Sequence, residues 1–233
     1  MKYDCLIIDD EKELANNTAE YFNMFDVKTV AVYSSVEANE FLKNNEPSLV
    51  LLDINLSDGS GFELCKQIRQ TLNIPILFIS ARNTDDDKII ALNIGGDDYI
   101  EKPYSLGVLL AKVKVVLKRF GGADTAETFA KTADFDDGYL KLDSANRAVF
   151  INGEEKKITS IEWKLLSYLI ENRNRLVTKN EIFDNVWNDK FTTDGTLNVH
   201  IRKIREAIEK DAQDPKYIVT VWKEGYKFVA PEE

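Results

Sequence analysis

Short apolar runs alternate with segments of helical periodicity along the first half of the chain. Leu49–Leu52 is one such run, and it stops at the carboxylate of Asp53. Strands this apolar are typical of a parallel sheet that is covered on both faces. The pattern predicts five strands that alternate with five helices, which is an α/β doubly wound five-stranded parallel fold over residues 1–120. The predicted strands are Cys5–Ile8, Val27–Tyr33, the run that ends at Asp53, Ile74–Ser80 and Asp98–Pro103.

The helices between these strands are amphipathic. In Ser35–Asn44, for example, the spacing predicts that Val36, Phe41 and Leu42 lie on the inner side. The last helix of this half is predicted over Leu106–Phe120.

The second half has a different pattern, with short strands first and helices afterwards. Strands are predicted over Phe129–Phe135, Tyr139–Leu142, Ala148–Ile151 and Glu155–Ile158, with a hairpin turn at Asn152-Gly153. Helices follow, one capped by Ser160, one over Asn180–Trp187 and one over Thr193–Ile208. A final hairpin joins Tyr217–Val221 to Tyr226–Val229. Residues 121–128 have no apolar period and are predicted to be a flexible linker between an α/β domain (1–120) and an α+β domain (129–233).

Composition agrees with two cytoplasmic domains. The chain has 233 residues, 44% of them hydrophobic and 30% charged, which is typical of globular proteins. No apolar run approaches the roughly 20 residues that a membrane span requires, and no signal peptide is indicated. Cys5 and Cys65 lie in apolar segments and are predicted to be core residues in a reducing compartment. The net charge is −10, so any contact with nucleic acid must come from a local basic cluster.

Polar residues stand where the predicted strands of the first half end. They are Asp9 and Asp10 at the end of the first strand, Asp53 at the end of the third, Ser80 at the end of the fourth and Lys102 at the end of the fifth. These ends meet at one edge of a parallel sheet. Close carboxylates repel one another unless a cation intervenes, and oxygen ligands suit Mg²⁺. A metal and a fixed lysine beside a carboxylate serve phosphoryl transfer. The alternative is that each acid only caps a helix and that Lys102 is a surface charge.

Residues 1–120 resemble a bacterial response-regulator receiver domain. The resemblance rests on Asp9-Asp10-Glu11, Asp53 with the Gly59/Gly61 loop, Ser80-Ala81-Arg82, and Gly95-Gly96-Asp97-Asp98-Tyr99 before Lys102-Pro103.

The resemblance implies a role for each of these positions. Asp53 would accept the phosphoryl group. Mg²⁺ would be held by Asp9, Asp10, Asp53 and the backbone carbonyl of Asn55. Ser80 and Tyr99 would form the switch pair, Lys102 would bind phosphoryl oxygens, and the peptide bond before Pro103 would be cis.

A free-standing phosphatase is the rival interpretation of a phosphorylated strand-end aspartate. Haloacid-dehalogenase-type phosphatases place a second aspartate two residues later as a general acid. Here that position is Asn55, which cannot protonate a leaving group. The chain is therefore predicted not to be an enzyme, apart from self-phosphotransfer and autodephosphorylation at Asp53.

The resemblance also implies a dimer face with crossed ion pairs. The matching residues are Lys88, Asp97, Asp98, Lys112 and Lys114, and Val108 belongs to the same face. Asn93 and Val108 stand where the family has acids, so Lys88 and Lys114 are expected to lack their usual partners. The pair that remains is mainly Asp98 with Lys112, and Val108 adds an apolar contact instead. Exposed pairs of this kind contribute about 0–1 kcal/mol each.

The helix predicted over Thr193–Ile208 carries the basic cluster. Leu197, Ile201 and two further isoleucines form its inner stripe. The polar side carries Thr196, Asn198, His200, Arg202, Lys203 and Arg205, with no acid between Thr196 and Arg205. Arginine suits phosphates and guanine edges, and asparagine suits adenine. A solvated charged face is the alternative for this helix alone, but helix, turn, basic helix and hairpin together favour DNA binding.

Residues 129–233 resemble the winged-helix output domain of OmpR/PhoB-type regulators. The resemblance rests on Ile158–Leu166, Val186-Trp187, Thr196–Arg205 and Gly225–Phe228. It implies a major-groove helix over Thr193–Ile208, a minor-groove wing and an RNA polymerase contact at Asn188–Asp194. Gly195 replaces a common phosphate-binding arginine, and Trp222-Lys223 replaces the usual Arg-Gly of the wing. Lys223 and Lys227 are therefore the expected wing contacts.

These features predict a two-component transcriptional regulator. A sensor histidine kinase would phosphorylate Asp53 with Mg²⁺, the receivers would form a homodimer, and two winged helices would bind repeated half-sites in promoter DNA. The alternative is a DNA-binding regulator with a constitutively dimeric receiver that does not depend on phosphorylation.

Overall fold

A computed structural model describes residues 1–82, 84–121, 134–188 and 192–230. The chain divides into two compact units, Met1–Gly122 and Ala123–Glu233. Of the predicted linker, only Gly121 lies within the described residues. Residues 129–133 of the strand predicted over Phe129–Phe135 also lie outside them. Among the described helices, none has the length and apolar character needed to cross a bilayer.

The first unit is built on a five-stranded parallel sheet, which confirms the predicted fold class. The strands are Cys5–Ile8 (β1), Thr29–Val32 (β2), Val50–Asp53 (β3), Ile76–Ser80 (β4) and Asp98–Glu101 (β5). The helices are Lys12–Met24 (α1), Ser35–Asn44 (α2), Gly61–Thr71 (α3), Asp85–Ile94 (α4) and Leu106–Gly121 (α5). Two-residue ladders pair Lys2–Tyr3 with Glu46–Pro47 and Asn55–Leu56 with Gly59–Ser60.

The spatial order β2-β1-β3-β4-β5 reverses between β1 and β3. Such a reversal opens a crevice at the carboxyl ends of the two strands. Alternate residues of each strand point to opposite faces of the sheet, because the side-chain period of a strand is two. Thus Ile7 and Leu51 enter one core cluster, with α1 and α5, while Ile8 and Leu52 enter a second cluster on the other face. Burial on both faces explains why these strands are so uniformly apolar.

The prediction for the inner side of α2 is partly wrong. Phe41 and Leu42 pack against the core, but Val36 is 68% exposed, and Ala38 is the buried residue of this helix. Val36 lies in the first turn of α2, and its N–H donates to Asp58 Oδ2 at 3.1 Å.

The described residues of the second unit form two antiparallel sheets and three helical segments. Its first sheet consists of Phe135–Asp136 (β6), Leu140–Asp143 (β7), Ala148–Ile151 (β8) and Glu154–Lys156 (β9). The second consists of Val177–Thr178 (β10), Ile218–Val221 (β11) and Gly225–Phe228 (β12), with β12 in the middle. The helical segments are Ser160–Glu171 (α6), Lys179–Ile182 (α7) with a π-helical continuation over Phe183–Trp187, and Asp194–Ile208 (α8).

The turns and caps of this unit follow its sequence closely. Asn152 and Gly153 have φ angles of 52° and 81°, the left-handed pair that a tight hairpin requires. The predicted cap of α6 is wrong by one residue, because Thr159 rather than Ser160 is the N-cap. Thr159 forms a reciprocal capping box with Glu162, which satisfies two amide donors that the first turn leaves without helical partners.

Candidate functional site

The carboxyl ends of β1 and β3 bring three carboxylates together. Asp9, Asp10 and Asp53 each offer an oxygen, and these oxygens lie within 4.8 Å of one another. Asp9 and Asp53 are buried, while Asp10 is half-buried. Backbone amides fix the two buried groups, since the Glu11 N–H donates to Asp9 Oδ1 and the Asn55 N–H donates to Asp53 Oδ1, both at 3.0 Å.

Lys102, which follows β5, reaches into this cluster. Its Nζ lies 2.6 Å from Asp53 Oδ2, 2.8 Å from Asp9 Oδ2 and 2.7 Å from Glu11 Oε1. Burial by itself lowers the pKa of Lys102, but the hydrogen bonds to the three carboxylates outweigh it and hold the pKa above its ordinary value. Lys102 therefore remains charged. The Lys102–Pro103 peptide bond is cis, as the resemblance implied.

The positive charge of Lys102 alone does not neutralise the negative charge of the carboxylate cluster. Burial raises the pKa of Asp9 above its ordinary value, and the hydrogen bonds from Lys102 and the Glu11 N–H reduce this rise without cancelling it. A buried carboxylate with a raised pKa is one whose negative charge is incompletely compensated. The donor set consists of oxygens alone and is partly open to water at Asp10, which fits a small hard cation such as Mg²⁺.

The predicted switch residues lie beside the cluster. Ser80 is fully buried, and its hydroxyl accepts from the Arg82 N–H at 3.2 Å. The Tyr99 hydroxyl donates to the Arg82 carbonyl at 2.5 Å. Burial raises the pKa of Tyr99, and the Ser80 hydroxyl opposes this rise. Ser80 and Tyr99 thus share the Arg82 backbone as a partner.

Arg82 makes side-chain contacts at this site, and the sequence analysis had assigned it no role. Its guanidinium donates to Asn55 Oδ1 at 2.9 Å and lies 3.6 Å from Asp87. The side chain of Asn55 therefore faces Arg82 at the mouth of the crevice. Only the position of Arg82 two residues after Ser80 could have indicated this contact.

Most charged side chains of the predicted dimer face form ion pairs within the same chain. Asp97 is buried, and its carboxylate lies 2.6 Å from the Arg69 guanidinium. Asp98 and Lys112 are buried against each other at 2.7 Å. Lys88 lies 2.5 Å from Glu101, and Lys114 lies over the ring of Phe25. Val108 is 46% exposed, as an apolar interface contact would require.

The predicted DNA-binding residues of α8 divide into three groups. Asn198 and Arg202 are exposed; Asn198 accepts from the Tyr226 hydroxyl at 2.7 Å, and Arg202 pairs with Glu206 at 2.7 Å. Lys203 and Arg205 are half-buried. Arg205 donates to the Ile218 carbonyl and to Thr220, which ties α8 to the final hairpin.

Thr196 and His200 form the third group and are corrections to the prediction. His200 is 0% exposed and Thr196 is 8% exposed, so neither side chain is available to DNA. His200 packs against the Trp187 ring at 5.8 Å. The helical spacing had placed both residues beside the polar stripe, but the neighbouring helical segments of the unit cover that side of α8.

The final hairpin presents the predicted wing residues. Lys223 is exposed and has a φ angle of 65°, Trp222 is 79% exposed, and Lys227 is half-buried. Of the predicted polymerase loop Asn188–Asp194, residues 189–191 lie outside the described residues.

Comparison with known proteins assigns both units. Residues 5–114 match the family described as response regulator receiver domain, and residues 153–228 match the family described as transcriptional regulatory protein, C terminal. The sensory transduction protein RegX3 of Mycolicibacterium smegmatis is 34% identical over 223 residues, which cover 95% of this chain and 97% of that protein. The regulatory protein VanR of Enterococcus faecium is 33% identical over 224 residues, covering 95% of this chain and 96% of that protein.

A solved structure extends the similarity over the whole chain. The response regulator DrrB, a Thermotoga maritima OmpR/PhoB homologue, is 29% identical, covers 99% of this chain and 100% of its own, and superposes with a TM-score of 0.50. The chain therefore belongs to the OmpR/PhoB-type two-component response regulators, in which a receiver domain is followed by a DNA-binding transcriptional regulatory domain.

Proposed function

We propose that this protein is a phosphorylation-dependent transcriptional regulator whose receiver accepts a phosphoryl group at Asp53 from a sensor histidine kinase. The observation that carries this proposal is the cluster of Asp9, Asp10 and Asp53 with Lys102 Nζ 2.6 Å from Asp53. Mg²⁺ would be held by the three carboxylates and the Asn55 carbonyl, where it would neutralise charge on the transferring group.

The transfer itself requires little from the protein beyond position and charge. A carboxylate oxygen of Asp53 attacks phosphorus, the bond from phosphorus to the kinase histidine breaks, and an acyl phosphate forms on Asp53. Lys102 already touches Asp53, so its ammonium is in place to bind a phosphoryl oxygen as negative charge develops there. Apart from this transfer and the later hydrolysis of its own acyl phosphate, the protein catalyses no reaction in this proposal.

The new charge is then relayed by Ser80 and Tyr99. In the unphosphorylated chain the Ser80 hydroxyl accepts from the Arg82 N–H, and the Tyr99 hydroxyl is held by the Arg82 carbonyl. Rotation of Ser80 toward a phosphoryl oxygen removes the first of these bonds and leaves room for the Tyr99 ring to move inward. The receivers then pair through a face that includes Lys88, Val108 and Lys114, with Asp98 and Lys112 beside it.

The output unit binds double-stranded promoter DNA through α8 and the final hairpin. Asn198 and Arg202 are the exposed residues of α8 that face a major groove in this proposal, Arg205 lies beside them, and Lys223 and Lys227 belong to the wing. The loop Asn188–Asp194 would contact RNA polymerase. Promoter DNA places this activity in the bacterial cytoplasm.

The test is whether phosphorylation changes DNA affinity. A duplex selected from a random-sequence pool with the wild-type protein, acetyl phosphate and Mg²⁺ should bind about tenfold or more tightly with the phosphodonor than without it, because pairing links two binding modules. The affinity should also fall steeply with salt as phosphate contacts release counterions. Equal affinity with and without the donor would favour a receiver that is constitutively dimeric, and no affinity for duplex DNA would refute the proposal.

Magnesium should stabilise the receiver unit measurably. At about 100-fold excess over its Kd, a ligand that binds only the folded state adds about 2.7 kcal/mol to the free energy of unfolding. Thermal unfolding in MgCl₂, compared with KCl of equal ionic strength, would show this increase. Asp10→Asn removes one predicted ligand and leaves the three contacts of Lys102 intact. The variant should lose most of the stabilisation, and an unchanged Mg²⁺ effect would contradict the assigned ligands.

A further inference from the structure

A buried carboxylate lies beneath the polar face of α8. Glu162, in the first turn of α6, is 3% exposed. One of its oxygens accepts from the Thr159 N–H at 2.8 Å as part of the capping box. The other lies 3.5 Å from His200 Nδ1 and 3.0 Å from Lys203 Nζ, both on α8. Glu162 therefore joins the start of one helix to the middle of another.

His200 and Lys203 stabilise the ionised form of Glu162. Burial raises the pKa of Glu162, but His200, Lys203 and the Thr159 N–H outweigh it and bring the pKa to about 2. Glu162 is therefore ionised at neutral pH. A buried carboxylate is costly unless it is paired and hydrogen-bonded, and here the principal partners lie on α8.

The geometry separates the anchored side of α8 from its exposed side. His200 and Lys203 are three residues apart and share one side of the helix, while Asn198 and Arg202 are four apart and share another. Apolar packing of Leu197 and Ile201 holds α8 against the core. Because such packing is not directional, it does not by itself fix the rotation of α8 about its own axis. A directional bond to a fixed carboxylate does so, and specifying register is the best-attested role of buried polar groups.

We infer that Glu162 is a positioning residue for DNA recognition: by holding His200 and Lys203, it sets the rotation at which α8 presents Asn198 and Arg202 to the base edges. The inference makes Lys203 an internal partner of Glu162 that does not contact the phosphates of the DNA backbone. Its side chain is only 19% exposed, compared with 67% for Arg202. The inference rests on the proposed function in DNA binding.

The first test compares two glutamates that have the same capping role. Glu162→Gln keeps the side-chain shape and removes the charge. Glu181 forms the corresponding capping box with Thr178 on α7 and pairs with Arg175, so Glu181→Gln is the matched control. Affinity is measured for the duplex selected by the phosphorylated wild-type protein, at a temperature where thermal unfolding shows each full-length variant to be folded.

Glu162→Gln should weaken binding about tenfold, the loss expected when one side-chain contact to a base is misplaced. It should leave affinity for an unrelated duplex of equal length nearly unchanged, a selectivity that mere loss of folded protein would not produce. Glu181→Gln should bind both duplexes as the wild type does. Wild-type affinity of folded Glu162→Gln for the selected duplex would overturn the inference. Failure of the wild-type protein to select any duplex would instead refute the proposed function.

The second test does not depend on whether Glu162→Gln folds. Each lost phosphate contact lowers the slope of log affinity against log salt by about 1. Lys223→Gln, which removes an exposed cation of the proposed wing, should lower this slope by about that amount. Lys203→Gln should leave the slope unchanged because Lys203 serves Glu162. Equal reduction of the slope in both variants would place Lys203 on the DNA and overturn the inference.

Discussion

An Asp53→Asn protein should take up no phosphoryl group from acetyl phosphate and Mg²⁺, while the wild-type protein should take up one. The reason is chemical, because an amide oxygen is too weak a nucleophile to attack phosphorus, whereas the Asp53 carboxylate is held in position by the Asn55 N–H and Lys102. Intact-protein mass spectrometry of both proteins after the same incubation measures the difference directly.

Asp58→Asn is the matched control for this experiment. Asp58 follows β3 in the same loop, but its carboxylate accepts from the Ser35 and Val36 N–H groups at 2.9 Å and 3.1 Å. The control variant should be labelled as the wild type is. If Asp53→Asn were labelled to the wild-type level, the acceptor would be a different residue, with Asp9 and Asp10 as the nearest candidates.

The position of Asp53 could be predicted because two independent rules agree on it. Four apolar residues that precede a carboxylate indicate a strand covered on both faces, and parallel strands place their carboxyl ends at one edge. The same rules brought Asp9, Asp10 and Lys102 to this edge. The structure brings all four together, within hydrogen-bonding distance in the case of Lys102 with Asp9 and Asp53.

Contacts between distant segments were beyond sequence reasoning. Asp97 was expected at a dimer interface, but Arg69 on α3 reaches it across the sheet edge and also donates to the Gly95 carbonyl at 2.9 Å. Nothing in the spacing of Arg69 indicates this partner, because the two residues come together only when α3 and α4 pack side by side.

His200 failed as a predicted DNA contact for a related physical reason. A period of 3.6 residues locates the apolar stripe of α8, but it does not show how far neighbouring elements extend beyond that stripe. Trp187 and Glu162 widen the covered side and include His200 in it. Exposed positions at the centre of the polar face, such as Asn198 and Arg202, were predictable, and positions at its margin were not.

Gly61→Ala should impair both folding and phosphorylation of the receiver. Gly61 begins α3 directly after the Asp53 loop, and its N–H donates to the Ile54 carbonyl at 2.8 Å. A Cβ at this position would lie 2.0 Å from the Asp53 carbonyl oxygen and 3.0 Å from Ile54 Cα. Backbone atoms cannot yield as a flexible side chain can. We expect the free energy of unfolding to fall by on the order of 3 kcal/mol, as in severe overpacking.

Gly59→Ala provides the comparison that makes this prediction specific to the site. A Cβ at Gly59 would meet only Ser35 Oγ, at 4.0 Å, which is an ordinary contact. This variant should remain within about 1 kcal/mol of the wild type, since a compatible Gly→Ala change mainly restricts the unfolded chain. Denaturant unfolding measures both variants, and mass spectrometry with acetyl phosphate follows their labelling. Because the clash at Gly61 displaces the end of β3 itself, Gly61→Ala should be labelled more slowly than Gly59→Ala even under conditions where both are folded. Equal stability and equal labelling of the two variants would show that the loop relaxes without moving Asp53.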